Sequence, residues 1–136
     1  MTVKVFVDSN IAIYLYSGDE PDRRTVAESL MRAHERPWVS TQVLSELANV
    51  LRRKFKLDYE AISEVVKEVG SACAVHLVTQ ATIAHALRLG VRYGYSYYDS
   101  LILAAALECG AETLVSEDMQ HDQVIESRLL IKNPFA

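Results

Sequence analysis

The sequence predicts an α/β fold of three layers, α/β/α, around a central parallel sheet of four or five short strands. Two observations lead there. Short β-branched and aromatic runs alternate with longer helical segments along the 136 residues, the pattern of a parallel sheet covered by helices on both faces. Half of the residues are apolar, enough for a real core. No repeat, low-complexity tract or Gly/Ser-rich linker divides them, so residues 1–136 read as a single domain.

Val3-Lys4-Val5-Phe6-Val7 opens the chain as a short buried strand. Asp8-Ser9-Asn10 punctuates it, and Ile11 to Tyr16 is helical. Gly18-Asp19-Glu20-Pro21 turns into a second helix, with Asp19 or Glu20 near the cap and Pro21 in the first turn. That helix runs to about Glu35. Trp38-Val39-Ser40 is the second strand, followed by a helix from about Thr41 to Phe55 and another from Tyr59 to about Ala72. Val75 to Val78 is the third strand, and Thr79 to Tyr93 is a helix. Ser96 to Cys109 is helical and apolar on nearly every side, so it belongs in the interior, and Gly110 stops it. Thr113-Leu114-Val115 is the fourth strand and Arg128 to Ile131 a fifth. In such sheets, sites form beyond the carboxyl ends of the strands.

No apolar stretch approaches the roughly 18–20 residues that span a bilayer. Met1-Thr2-Val3-Lys4-Val5 enters a strand at once, without the layout of a signal peptide. A soluble cytoplasmic protein with no membrane partner is expected. Cys73 and Cys109 lie far apart in apolar helical contexts and read as reduced core residues. The net charge of −4 counts mildly against a nucleic-acid binder, because phosphates are normally met by a basic surface. Four acids gathered at one metal site would account for that excess. Two divalent cations would then bring the formal charge to about zero.

Four acids stand out, each with a plainer alternative. Asp8 directly follows strand 1, where Asp is a common helix N-cap. Glu46 has Val43 three residues before it and Val50 four after, so it borders the apolar face of its helix rather than opposing it. Asp99 ends Ser96-Tyr97-Tyr98-Asp99, which matches a capping box at the start of the apolar helix. An acid at the entrance of a buried helix also needs partners. Asp118 follows strand 4 in Leu114-Val115-Ser116-Glu117-Asp118 and is equally a turn former. Three of the four lie at or near strand ends, and Glu46 lies about one turn into a following helix. Converging carboxylates repel unless hard cations sit between them, and Mg²⁺ or Mn²⁺ suits such oxygen-rich sites. Two such ions can activate water and stabilise the leaving oxygen of a phosphodiester.

The ordered set resembles the PIN-domain family and, within it, the VapC-like toxins of type II toxin–antitoxin systems. Val5-Phe6-Val7-Asp8-Ser9-Asn10 resembles the family's first acidic motif, Ser45-Glu46-Leu47 the second and Tyr98-Asp99-Ser100-Leu101-Ile102 the third. Leu114-Val115-Ser116-Glu117-Asp118 resembles the fourth, where Thr or Ser usually stands two residues before the acid. Ile131-Lys132-Asn133-Pro134-Phe135 is similar to the end of many such toxins. His121 departs from the pattern, since a Phe often follows the fourth acid. The resemblance implies RNA as substrate, an antitoxin protein as partner and a homodimer. The expected activity is therefore a Mg²⁺-dependent endoribonuclease, with Mn²⁺ able to substitute, hydrolysing RNA phosphodiesters with metal-activated water. Asp8 and Asp99 would hold the principal ion, Asp118 and Glu46 would complete the site directly or through waters, and Asn10 and Ser116 would support site or substrate. Two rival readings stay open: a structure-specific DNA nuclease, and a catalytically silent interaction module whose acids are caps.

Other features carry less. Arg52-Arg53-Lys54 and Lys56 close a helix whose dipole favours cations there, though they could also meet phosphates or an acidic partner. Tyr14, Tyr16, Tyr93, Tyr95, Tyr97 and Tyr98 could stack on bases, with packing as the plainer role. The histidines at 34, 76, 85 and 121 show no paired spacing for zinc. No glycine-rich phosphate loop is present.

Overall fold

A computed structural model describes residues 3–136. The leader reading turns on Met1 and Thr2, which lie outside the described residues. β1 (Val5–Val7), β2 (Trp38–Ser40), β3 (Ala74–His76), β4 (Thr113–Val115), β5 (Val124–Ile125) and β6 (Leu129–Lys132) form one sheet in the order β3-β2-β1-β4-β6-β5. The helices are α1 (Ser9–Tyr14), α2 (Pro21–Ala33), α3 (Thr41–Arg53), α4 (Tyr59–Ala72), α5 (Gln80–Tyr93) and α6 (Tyr97–Glu108). The α/β fold with helices flanking a mostly parallel sheet is the one expected.

β1 lies at the centre because it has nothing polar to expose. All three of its residues are buried, and it pairs in parallel with β2 on one side and β4 on the other. Phe6 stands beside both Trp38 and Leu114. The chain leaves β1 toward β2 and β3, then returns to the other side through β4. The order therefore reverses between β1 and β4, and a crevice opens beyond their carboxyl ends. α6 is apolar all round, and Ser100 to Leu107 are buried without a break. Gly110 ends its last turn at φ +76°, a conformation that costs glycine little.

The sheet has six strands rather than four or five, and its last pair is antiparallel: Val124 opposes Leu130, and Ile125 opposes Leu129. The turn between them is Glu126-Ser127, both at positive φ, with Arg128 N–H bonded back to the Ile125 carbonyl at 3.1 Å. That backbone favours Asn-Gly or Asp-Gly, so Glu-Ser announces no hairpin. Tertiary contacts supply what the turn residues lack. The Tyr93 hydroxyl accepts from Glu126 N–H at 2.9 Å and donates to its carboxylate at 3.0 Å, and Arg92 pairs with the same carboxylate.

Element ends differ from expectation by a residue or two where caps decide them. α1 starts at Ser9, earlier than expected, because Asp8 caps it. α2 begins at Pro21 after Glu20, which makes no side-chain cap bond, and stops at Ala33. Cys73 and Cys109 are buried free thiols. His121 is accommodated at its departure point, where its Nδ1 accepts from Asn133 N–H at 2.9 Å. Among the described residues, no helix is long and apolar enough to cross a membrane.

Candidate active site

The crevice between β1 and β4 holds the first and fourth acidic segments. Asp8 is 3% exposed. Its Oδ1 accepts from Ser9 N–H at 2.6 Å, which is the cap of α1, and its Oδ2 accepts from the buried Ser116 hydroxyl at 2.7 Å. The same hydroxyl oxygen accepts from Asp118 N–H at 3.2 Å. Ser116 thus ties the first acid to the loop of the fourth. Asn10 does so from the first turn of α1: its Nδ2 donates to Asp118 Oδ2 at 2.9 Å, and its Oδ1 accepts from Glu117 N–H at 3.4 Å.

α3 and α6 bring the other two acids into the same field. Glu46 lies half-buried on α3, which Ser40 caps through Val43 N–H. Asp99 lies half-buried in the first turn of α6, which follows α5 directly, so it stands at a helix start and not at a strand end as expected; Ser96 Oγ accepts from its N–H at 3.3 Å. Ser96 makes the cap, as expected, and the Asp99 carboxylate adds to the site's charge. Burial raises the Asp8 carboxyl to about 6; the Ser116 and Ser9 bonds oppose that rise, and the negative charges of Glu46 and Asp99 add to it. Burial also raises Glu46, assisted by the charges of Asp99 and Asp118. Asp99 is raised by burial and then by Asp118. Among the described residues, none of these three forms an ion pair with a basic side chain.

The donor set fits a hard divalent ion. Ionised carboxylates only accept, and they match Mg²⁺ or Mn²⁺ better than softer metals. Glu46 Oε1 is buried without a hydrogen-bond partner. Such an atom costs about 1–3 kcal/mol unless something positive meets it. Among the described residues, no three Asp, Glu, His or Cys side chains stand close enough to hold an ion as they are.

Sequence reasoning missed three participants. Ser9, next to Asp8, donates to its carboxylate from the backbone N–H and from the hydroxyl. Gln42 lies one turn before Glu46, and that spacing was the available signal. Glu117, the neighbour of Asp118, is turned away from the four acids. It pairs with Arg23 of α2 and accepts from the Tyr14 hydroxyl at 2.5 Å. The Arg23 guanidinium also lies 4.4 Å from the centre of the Phe135 ring. Nothing local could have shown this, because Arg23 and Glu117 are 94 residues apart.

The PIN domain family profile matches residues 5–126, nearly the whole chain. The chain belongs to the PIN domain family. No curated protein sequence matches it significantly. Solved structures similar to this PIN domain include VapC20 of Mycobacterium tuberculosis, a sarcin–ricin-loop-cleaving toxin, with TM-score 0.67 and 23% identity over 82% of this chain and 87% of that one. A toxin–antitoxin complex from Klebsiella pneumoniae has TM-score 0.73 and 20% identity over 96% and 97% of the two chains. VapBC2 from Rickettsia felis, bound to a DNA fragment from its promoter, has TM-score 0.67 and 20% identity over 96% and 98%. At these identities the likeness shows a shared fold.

Proposed function

We propose that this PIN domain, the whole of 1–136 acting as one unit, is a Mg²⁺-dependent endoribonuclease and the toxin of a toxin–antitoxin pair. One observation carries the reading: burial and like charge raise three carboxyl groups in one crevice while Glu46 Oε1 is left without a partner. A silent module whose acids are only caps gives no reason for that cost. Asp8 and Asp99 would hold the principal ion, with Glu46 and Asp118 completing the set directly or through waters. A divalent ion there would supply the positive charge that activates water and stabilises the leaving oxygen of a phosphodiester. Ser116 and Ser9 hold Asp8 in one orientation, and Asn10 aims the exposed Asp118 carboxylate.

The similarity to VapC and VapBC structures supports RNA as substrate and an antitoxin as partner; action in the cytoplasm as a homodimer belongs to the same proposal and rests on the family resemblance alone. A short antitoxin segment can wrap the groove and place a basic residue among the acids. The deciding experiment is RNA cleavage with Mg²⁺ or Mn²⁺, its loss in EDTA, and its suppression by the protein encoded beside this chain. Full cleavage in a metal-free preparation would end the proposal. Light scattering checks the homodimer.

A further inference from the structure

Beside Glu46, α3 presents Gln42, Ser45 and Asn49, spaced to share one polar face of the helix. With Tyr98 of α6 they line a cavity of about 410 Å³ that includes Glu46 itself, within the range of small-ligand sites. The two walls are tied together: Gln42 Nε2 donates to the Tyr98 carbonyl at 3.1 Å. Tyr98 is 64% exposed, and the Tyr97 ring meets its ring edge-on with the centroids 5.2 Å apart. Tyr98 is also the residue immediately before Asp99. An exposed aromatic face, amide and hydroxyl groups, and an acid of the proposed metal site therefore surround one space.

We propose that this cavity seats an unpaired nucleobase of the RNA next to the scissile phosphate, with Tyr98 stacked on its face and Asn49 and Ser45 meeting its edge. The inference rests on the ribonuclease reading and deepens it. Every base offers a π-face to an aromatic ring, and amide side chains match the donor and acceptor pattern of base edges. Duplex RNA keeps its bases stacked and paired, so the site selects single-stranded loops or ends. Tyr98 is then a binding residue, and its effect belongs in substrate affinity.

The test uses the full chain with a fluorescein-labelled single-stranded oligoribonucleotide. Anisotropy is read with Ca²⁺ in place of Mg²⁺, and KM and kcat are read separately with Mg²⁺. Tyr98→Ala is expected to weaken binding roughly 5- to 150-fold, the range of one base–aromatic stack, and to act mainly on KM. Tyr98→Phe keeps binding, and Tyr98→Leu, which retains bulk without a π-face, behaves like alanine. Asn49→Ala reduces the discrimination among the four homopolymers. Wild-type affinity in Tyr98→Ala, or Leu serving as well as Phe, overturns the inference while leaving the nuclease reading intact. So does a defect confined to the antitoxin complex, which would make the cavity a protein-binding site. A wild-type chain that neither binds nor cleaves RNA removes both.

Discussion

The two ends of α6 handle a carboxylate in opposite ways. Asp99 sits in its first turn, where the helix dipole favours an anion, and its carboxyl is nevertheless raised, first by burial and then by Asp118. Glu108 is the last residue of the same helix, about 14 Å further along at 1.5 Å per residue, where the dipole disfavours an anion. Burial pushes Glu108 up as well, but the Thr82 and His76 bonds, the His76 charge and the His85 bond bring it below its usual range. Its oxygens accept from Thr82 Oγ1 at 2.7 Å and lie 3.0 Å from His76 Nε2 and 3.6 Å from His85 Nδ1. The protein supplies Glu108 with two imidazoles that can carry positive charge, whereas Asp8 receives only neutral hydrogen-bond donors and neither Glu46 nor Asp99 forms an ion pair among the described residues. A provisioned acid joins elements together, whereas an unprovisioned one awaits a cation.

The largest expected effect falls on the unprovisioned end. Asp8→Asn should reduce RNA cleavage more than about 100-fold, since even outer partners of metal ligands cost roughly 10–100-fold. In EDTA the same variant should not lose stability near neutral pH. Folding raises this carboxyl from 3.8 to about 6. The metal-free fold therefore carries no ionisation penalty from Asp8 below about pH 4, and loses that advantage, ~3 kcal/mol, as pH climbs through 6. The amide escapes the penalty but forfeits about 1 kcal/mol by failing one hydrogen bond. Thermal melts from pH 4 to 8 would show a steeper loss of stability with rising pH for the wild type than for the variant, which keeps only the contributions of Glu46 and Asp99. An identical slope in both would mean that folding does not raise Asp8, and a shallower slope in the wild type would make it an ordinary cap whose ionised form the helix favours.

Next comes Ser116→Ala. It removes the donor to Asp8 Oδ2 and the acceptor for Asp118 N–H, and activity should fall about 10–100-fold. A titration of activity against Mg²⁺ should shift to higher concentration, and unchanged metal dependence would take Ser116 out of the site.

At the provisioned end, Glu108→Gln should cost about 1–3 kcal/mol in denaturant melts at pH 7, because the amide cannot accept on both sides. Cleavage should persist. The lowered carboxyl contributes stability above its ordinary 4.5 and loses it as pH falls through the lowered value. Loss of cleavage in Glu108→Gln would dissolve the contrast between the two ends.

The smallest effect separates cap from charge within one turn. Ser96→Ala should cost about 1 kcal/mol as a lost N-cap. Asp99→Asn in EDTA should melt at or above the wild-type temperature while cleavage is lost, and Mg²⁺ should stabilise the wild type more than the variant. A destabilised but active Asp99→Asn would return Asp99 to the capping box.

Most of the fold was legible from local pattern. Buried strands such as Val5-Phe6-Val7, the all-round apolar α6 and the punctuation at Pro21 and Gly110 each act over a few residues, which is the range periodicity reports. The four acids were legible as positions, and Asp8 and Asp99 proved to lie beside the cap bonds expected there. β5 was not legible, because Glu126-Ser127 needs Tyr93 and Arg92 to hold its turn. The His76–Glu108–His85 cluster also escaped notice, since histidines without paired spacing look unrelated until β3, α5 and α6 pack together.

By itself the sequence determined which segments are strands and helices, and that acids stand at their ends, because both follow from neighbours close along the chain. Only the tertiary structure decided which acids share a field and which are provided for. Asp118 could come to Asn10, and Glu117 could be drawn off to Arg23, only across 108 and 94 residues of chain. Adjacent carboxylates of similar local setting are told apart by long-range packing, since desolvation and partner charges arise only once distant elements meet.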